Sequence, residues 1–143
     1  MLEFITNNAE ETIELGKRIG QSLQSKDVLL LKGDLGFGKT TLTKGVAIGL
    51  DIHENISSPT FTIVKNYSGR LNLNHIDAYR LIGDDESIFE MVYSDDVSII
   101  EWPDNLNLPL ADYIEIEISY IMDNRRKFTI RFYNNNNEYE RLI

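Results

Sequence analysis

Gly33-Asp34-Leu35-Gly36-Phe37-Gly38-Lys39-Thr40 has the spacing G-x-x-x-x-G-K-[ST], in which glycines let a turn curl until successive backbone N–H groups point inward. Such a turn binds phosphate, because its amides and the start of the following helix present unpaired donors and a partial positive charge. The amides of Asp34, Leu35, Gly36, Phe37 and Gly38 would line the cradle, with Lys39 reaching the outer phosphates. The Thr40 hydroxyl, with Thr41 beside it, stands where a phosphate-bridging Mg²⁺ is held. The competing interpretation is a glycine-rich turn with a solvated lysine, and context decides between the two. The motif gains force when a buried strand precedes it and a helix follows.

That context is present. Val28-Leu29-Leu30-Leu31 is a short continuous apolar run, as in a strand buried on both faces. Beyond the turn, Leu42, Val46, Ala47 and Leu50 share one face of a helix over 39–50. Upstream, a strand at Leu2 to Ile5 leads past the possible N-caps Thr6, Asn7 and Asn8 into a helix near 8–24, patterned by Ala9, Ile13, Gly16, Gly20 and Leu23. Downstream, Ser57-Ser58-Pro59 breaks the helical pattern. Thr62 to Tyr67 and Leu71 to Ile76 flank Ser68-Gly69 as a tight antiparallel hairpin. An acidic helix spans Asp84 to Tyr93, and Val97 to Ile100 forms another buried strand. Ile114, Ile116 and Ile118 alternate with Glu115, Glu117 and Ser119 and turn at Asp123-Asn124 into Phe128, Ile130 and Phe132, a closing hairpin with one wet face. Asn134 to Asn137 is a polar tract expected to be a loop or a frayed strand end.

Hydrolysis of a bound nucleotide needs an acidic group for the metal and a means of positioning water. Glu101 and Asp77 each follow a strand, at the end where open α/β sheets bind ligands, although each also reads as an ordinary strand-end carboxylate. His75 has no second histidine at ligand spacing, only His53 in a loop, and reads as a structural hydrogen-bonding residue. Trp102, the sole tryptophan, fits a core position or one beside the ligand.

With 143 residues, 42% of them hydrophobic, the chain can form one core. The absence of cysteine excludes disulfides, thiolate metal sites and a cysteine nucleophile. Fourteen Lys plus Arg against 23 Asp plus Glu give a formal charge of -9, which opposes unaided binding to a nucleic-acid backbone. No stretch reaches membrane-spanning length and no secretory signal opens the chain, so the expected location is cytoplasmic, with no membrane partner.

Four segments occur in one order: GDLGFGKTT at Gly33 to Thr41, SPTF at Ser58 to Phe61, HIDAYR at His75 to Arg80, and IEWPD at Ile100 to Asp104. Together they resemble the TsaE (YjeE-type) family of ATPases of tRNA threonylcarbamoyladenosine biosynthesis, over essentially the whole chain. The resemblance implies an α/β, P-loop NTPase-like three-layer sandwich in a single domain, 1–143, whose mixed sheet has a parallel core and antiparallel hairpins. It implies ATP and Mg²⁺ as ligands, Lys39 on the phosphates, Thr40 and Glu101 on the metal, Asp77 needed for hydrolysis and Thr60 sensing the γ-phosphate from a switch-like segment. Thr60 equally suits a turn cap. Thr6 and Asn7 would lie near the adenine, and Arg80 would pair with a carboxylate or contact a partner. Phe37 stands where the family often has alanine, a tolerable change if only its amide binds. The implied partners are the threonylcarbamoyl transferase pair of TsaB and TsaD type, with tRNA engaged only indirectly and turnover slow in the subunit alone. A small-molecule or nucleotide kinase is the first alternative, although no basic lid or second phosphate-gripping cluster is evident. A nucleotide-binding interaction module without turnover is the second.

Overall fold

A computed structural model describes residues 1–33, 37–57, 64–78, 86–103 and 110–133, and the side chains of Phe37 and Glu86 are outside that description. Its elements are β1 (Leu2–Thr6), α1 (Ala9–Ser22), β2 (Val28–Gly33), α2 (Phe37–Gly49), β3 (Val64–Tyr67), β4 (Leu73–Asp77), α3 (Glu86–Val92), β5 (Val97–Glu101), β6 (Tyr113–Met122) and β7 (Arg125–Tyr133). All seven strands belong to one mixed sheet in the order β1-β7-β6-β2-β5-β4-β3. Its core β4-β5-β2-β6 is parallel, and β3 on one side and β7 and β1 on the other run antiparallel to their neighbours. The parallel core and antiparallel hairpins therefore agree with the expectation from sequence.

Local chemistry accounts for the element boundaries. Of the three candidate caps before α1, Asn8 is the one used: its Oδ1 accepts the Glu11 N–H at 2.8 Å. At the other end of α2, Asp51 adopts φ 59° and the Ile52 N–H reaches back to the Ala47 carbonyl at 3.0 Å, a left-handed C-terminal cap. The helix thus ends within one residue of the 39–50 span expected from its apolar pattern.

The β3–β4 connection also departs from expectation. Tyr67 pairs with Leu73, so residues 68–72 form a longer loop in place of a tight turn at Ser68-Gly69. Tertiary contacts explain its length. The Arg70 N–H bonds the Leu50 carbonyl at 2.7 Å, and its guanidinium reaches the Gly20 and Leu23 carbonyls at 3.0 and 3.4 Å. One loop residue thereby satisfies carbonyls at the ends of both long helices. Arg70→Ala is expected to lower stability by about 1–2 kcal/mol, measured by urea unfolding.

The sheet separates two apolar clusters. Helices α1 and α2 cover one face with Leu15, Ile19, Leu42, Val46 and Leu50 against Leu29, Leu31, Leu73, Ile99 and Ile116. On the other face, Ile88 and Val92 of α3 meet Val28, Leu30, Ile76 and Ile100. The β6–β7 hairpin does not merely close the sheet at its rim, since β6 is interior, between β2 and β7. Consequently Glu115, expected on a wet face, is only 9% exposed and is held by Lys32 (3.3 Å) and Arg131 (3.2 Å). Pairing of this kind is what a nearly buried carboxylate requires.

Candidate functional site

Glu101, Asp77 and Gly33 end their strands at the same edge of the sheet. Asp77 pairs with Glu101 in the β4–β5 ladder, and Leu31 pairs with Glu101 across β2–β5. The Ala78 N–H donates to the Glu101 carbonyl at 2.9 Å and fastens the two strand ends together. By the two-residue alternation of a strand, His75, Asp77 and Glu101 share the face of Leu73 and Ile99, which is the face covered by α2. The carboxylates expected from the sequence therefore lie on the side of the sheet that α2, the helix of the G-x-x-x-x-G-K-T motif, covers. Both are also where a doubly wound sheet binds ligands.

The turn between β2 and α2 is described at both its ends. Gly33 has φ 144°, and a Cβ there would lie 2.6 Å from the Ile118 carbonyl oxygen of β6, so this position needs glycine. Asp34, Leu35 and Gly36 lie outside the described residues, as do Ser58 to Phe61 with Thr60, Arg80 and Asp104. Phe37 opens α2, followed by buried Gly38 and by half-buried Thr40 and Thr41.

Lys39 is only 6% exposed, and its Nζ stands 3.8 Å above the ring centroid of Trp102. The cation–π contact stabilises a desolvated ammonium. Trp102 itself has φ 59°, a left-handed conformation that is uncommon for a bulky residue. That bend at the exit of β5 accompanies its packing on the α3-side core and the placement of its ring under Lys39. Trp102 thus serves both as a partly buried packing residue and as a wall beside Lys39. Glu101 is 5% exposed, and its Oε1 has no hydrogen-bond partner among the described residues. A withdrawn carboxylate oxygen without a donor within hydrogen-bonding distance is costly alone.

A cleft of about 360 Å³ opens at the same edge, lined by Asn8 and Thr12 of the α1 region, Gly38 and Thr41 of α2, and Asn124 and Arg126 of the β6–β7 hairpin. Helices α1 and α2 both begin beside it. Thr6 and Asn7 flank the cleft without lining it. Thr6 is buried with its Oγ1 2.7 Å from that of Thr12, and Asn7 bonds Glu11 and accepts the Arg125 Nε–H at 3.1 Å. Sequence reasoning missed Asn124 and Arg126. The available signal was the basic pair Arg125-Arg126 after the Asp123-Asn124 turn in an otherwise acidic chain, but its arrival beside α1 depends on a pairing distant in sequence.

A buried strand running through G-x-x-x-x-G-K-T into a helix, with acidic strand ends at its side, defines a mixed α/β protein of P-loop sequence type. The family model described as "Threonylcarbamoyl adenosine biosynthesis protein TsaE" matches residues 6–128, and the chain belongs to this family. It is 39% identical to the tRNA threonylcarbamoyladenosine biosynthesis protein TsaE of Bacillus subtilis (strain 168), over 99% of this chain and 90% of that one. It is 37% identical to the protein of the same name from Treponema pallidum (strain Nichols), over 90% and 99%. A crystal structure of Bacillus subtilis YdiB superposes with a TM-score of 0.82 at 36% identity, covering 99% of this chain and 90% of that chain.

Proposed function

We propose that the protein is a Mg²⁺-dependent ATPase of tRNA threonylcarbamoyladenosine formation, hydrolysing ATP to regulate or reset a threonylcarbamoyl transferase pair of TsaB and TsaD type. The observation that carries this is the convergence at one sheet edge of a desolvated lysine at the head of α2 with two strand-end carboxylates, one of them nearly buried. Family membership supports the pathway. The architecture fits a P-loop NTPase-like three-layer sandwich, and the acidic chain fits a cytoplasmic subunit that leaves tRNA to its partners. Among the described residues no helix is long and apolar enough to cross a membrane.

In this assignment Lys39 leaves the Trp102 face to neutralise the β- and γ-phosphates, and the amides at the start of α2 hold the remaining phosphate oxygens. Thr40 and Glu101 would hold Mg²⁺, which supplies charge neutralisation on the bridging phosphates. Among the described residues no three acidic or histidine side chains form a self-contained metal cage, and an ion completed by phosphates and water requires none. Asp77, beside Glu101, orients the attacking water. The ribose and base extend into the cleft between α1, α2 and the hairpin, where Arg126 and Asn124 offer polar contacts.

Phosphate release and ATP binding, each measured with and without the transferase pair, test the assignment on the unaltered chain and on Asp77→Asn. The expected result is partner-stimulated release that falls by about 100-fold or more in the variant, with ATP affinity retained. Binding without release by the unaltered chain in every mixture would remove the ATPase assignment and leave a nucleotide-binding module.

A further inference from the structure

His75 lies on β4, two residues before Asp77, and is fully buried. Neither of its ring nitrogens has a hydrogen-bond partner among the described residues, and the same holds for Glu101 Oε1. The unsatisfied groups face each other: Nε2 stands 3.6 Å from Oε1, just beyond hydrogen-bonding distance. A buried, unpaired polar atom costs about 1–3 kcal/mol, so an aliphatic residue would serve the core here at lower cost. The imidazole instead stands against the Oε1 side of the Glu101 carboxylate, on the sheet face covered by α2. Carboxylates that ligate metals are generally fixed by a hydrogen-bond donor behind them.

We infer that His75 is a positioning residue for Glu101, directing Nε2–H at Oε1 and so turning the other carboxylate oxygen toward the metal. The role presupposes the Mg-ATP site proposed above. A small displacement of Glu101 when its other oxygen is drawn to the cation would bring the 3.6 Å separation into hydrogen-bonding range. Asp77, on the same face of β4, would then receive its water in a fixed relation to the metal.

Mn²⁺ binding to the complex with a non-hydrolysable ATP analogue, followed by electron paramagnetic resonance of the free ion, reads this directly. Nucleotide affinity measured in EDTA and thermal unfolding report the rest of the molecule. His75→Leu is expected to weaken Mn²⁺ binding about 10- to 100-fold while nucleotide affinity in EDTA stays within about twofold. His75→Gln, whose amide N–H can reach the place of Nε2, is expected to recover Mn²⁺ affinity to within about threefold. If His75→Leu folds poorly, Gln against Asn carries the test, because the Asn amide reaches only the Nδ1 position: retention in Gln with loss in Asn is expected. Wild-type Mn²⁺ affinity in folded His75→Leu, equal affinities in Gln and Asn, or parallel losses of metal and EDTA-nucleotide binding would overturn the positioning role. Glu101→Gln separates the two levels. If Glu101→Gln weakens Mn²⁺ binding and the His75 variants do not, only the role of His75 falls; unchanged binding in Glu101→Gln removes the metal site as well.

Discussion

Lys39→Ala is expected to slow phosphate release from Mg-ATP by about 100- to 1,000-fold, with or without the transferase pair. The size of the effect follows from where the ammonium sits. At 6% exposure it is held largely out of water, and its attraction for phosphate is screened less than that of a surface lysine. The Trp102 ring 3.8 Å beneath it replaces part of the lost hydration, at an interaction worth roughly 0.5–2 kcal/mol. Phosphate offers the ammonium full charges and hydrogen bonds that an aromatic ring does not. Exchange of the ring for the nucleotide predicts that ATP changes the tryptophan emission of the unaltered chain and changes it less in the variant. Release by Lys39→Ala at the rate of the unaltered chain would take the lysine out of the phosphate site.

Strong local signals translated directly into structure. The apolar run 28–31 and the mostly apolar run 97–100, interrupted only by Ser98, became interior parallel strands, because a strand buried on both faces reads as a near-continuous apolar run. Glu101 and Asp77 were legible as strand-end carboxylates because each directly follows a segment that reads as a strand, Val97 to Ile100 and Leu71 to Ile76. Non-local choices left weaker traces. Nothing near Glu115 in sequence shows that β6 lies between β2 and β7, and so the glutamate expected in water is instead clamped by Lys32 and Arg131. Likewise Ser68-Gly69 has turn chemistry, but the demand of two helix ends for a donor drew Arg70 into the loop and lengthened it. His75 was read as a hydrogen-bonding core residue, yet its ring faces a carboxylate at 3.6 Å with both nitrogens unsatisfied among the described residues. The cleft wall at Asn124 and Arg126 exists because β6 runs parallel to β2, which delivers the hairpin tip to the phosphate edge.

Gly45→Ala is expected to lower stability by about 2 kcal/mol and, for a chain of this size, the thermal midpoint by roughly 6–8 °C. Helices α1 and α2 touch backbone to backbone, with Gly16 and Gly20 of one facing Gly45 and Gly49 of the other. A Cβ on Gly45 would strike the Ile13 carbonyl oxygen and lie 2.9 Å from the Gly16 Cα. Both obstacles are main chain, so relief requires the helices to separate, which loosens Ile19, Leu42 and Val46 from the core. Alanine is the better helix former by about 1 kcal/mol, and that gain offsets only part of the cost. Ile48→Ala on the same helix is the control: Ile48 is 46% exposed, and its truncation should change stability by about 0.5 kcal/mol. Separation of the helices also acts on function, since α2 carries Lys39 and Thr40 at its first turn while Glu101 is fixed to the sheet. Weaker ATP binding should therefore accompany the lower midpoint, measurable well below the unfolding range. A gain in stability would mean that helix propensity outweighs the clash, and that the two backbones can move apart at little cost to the core.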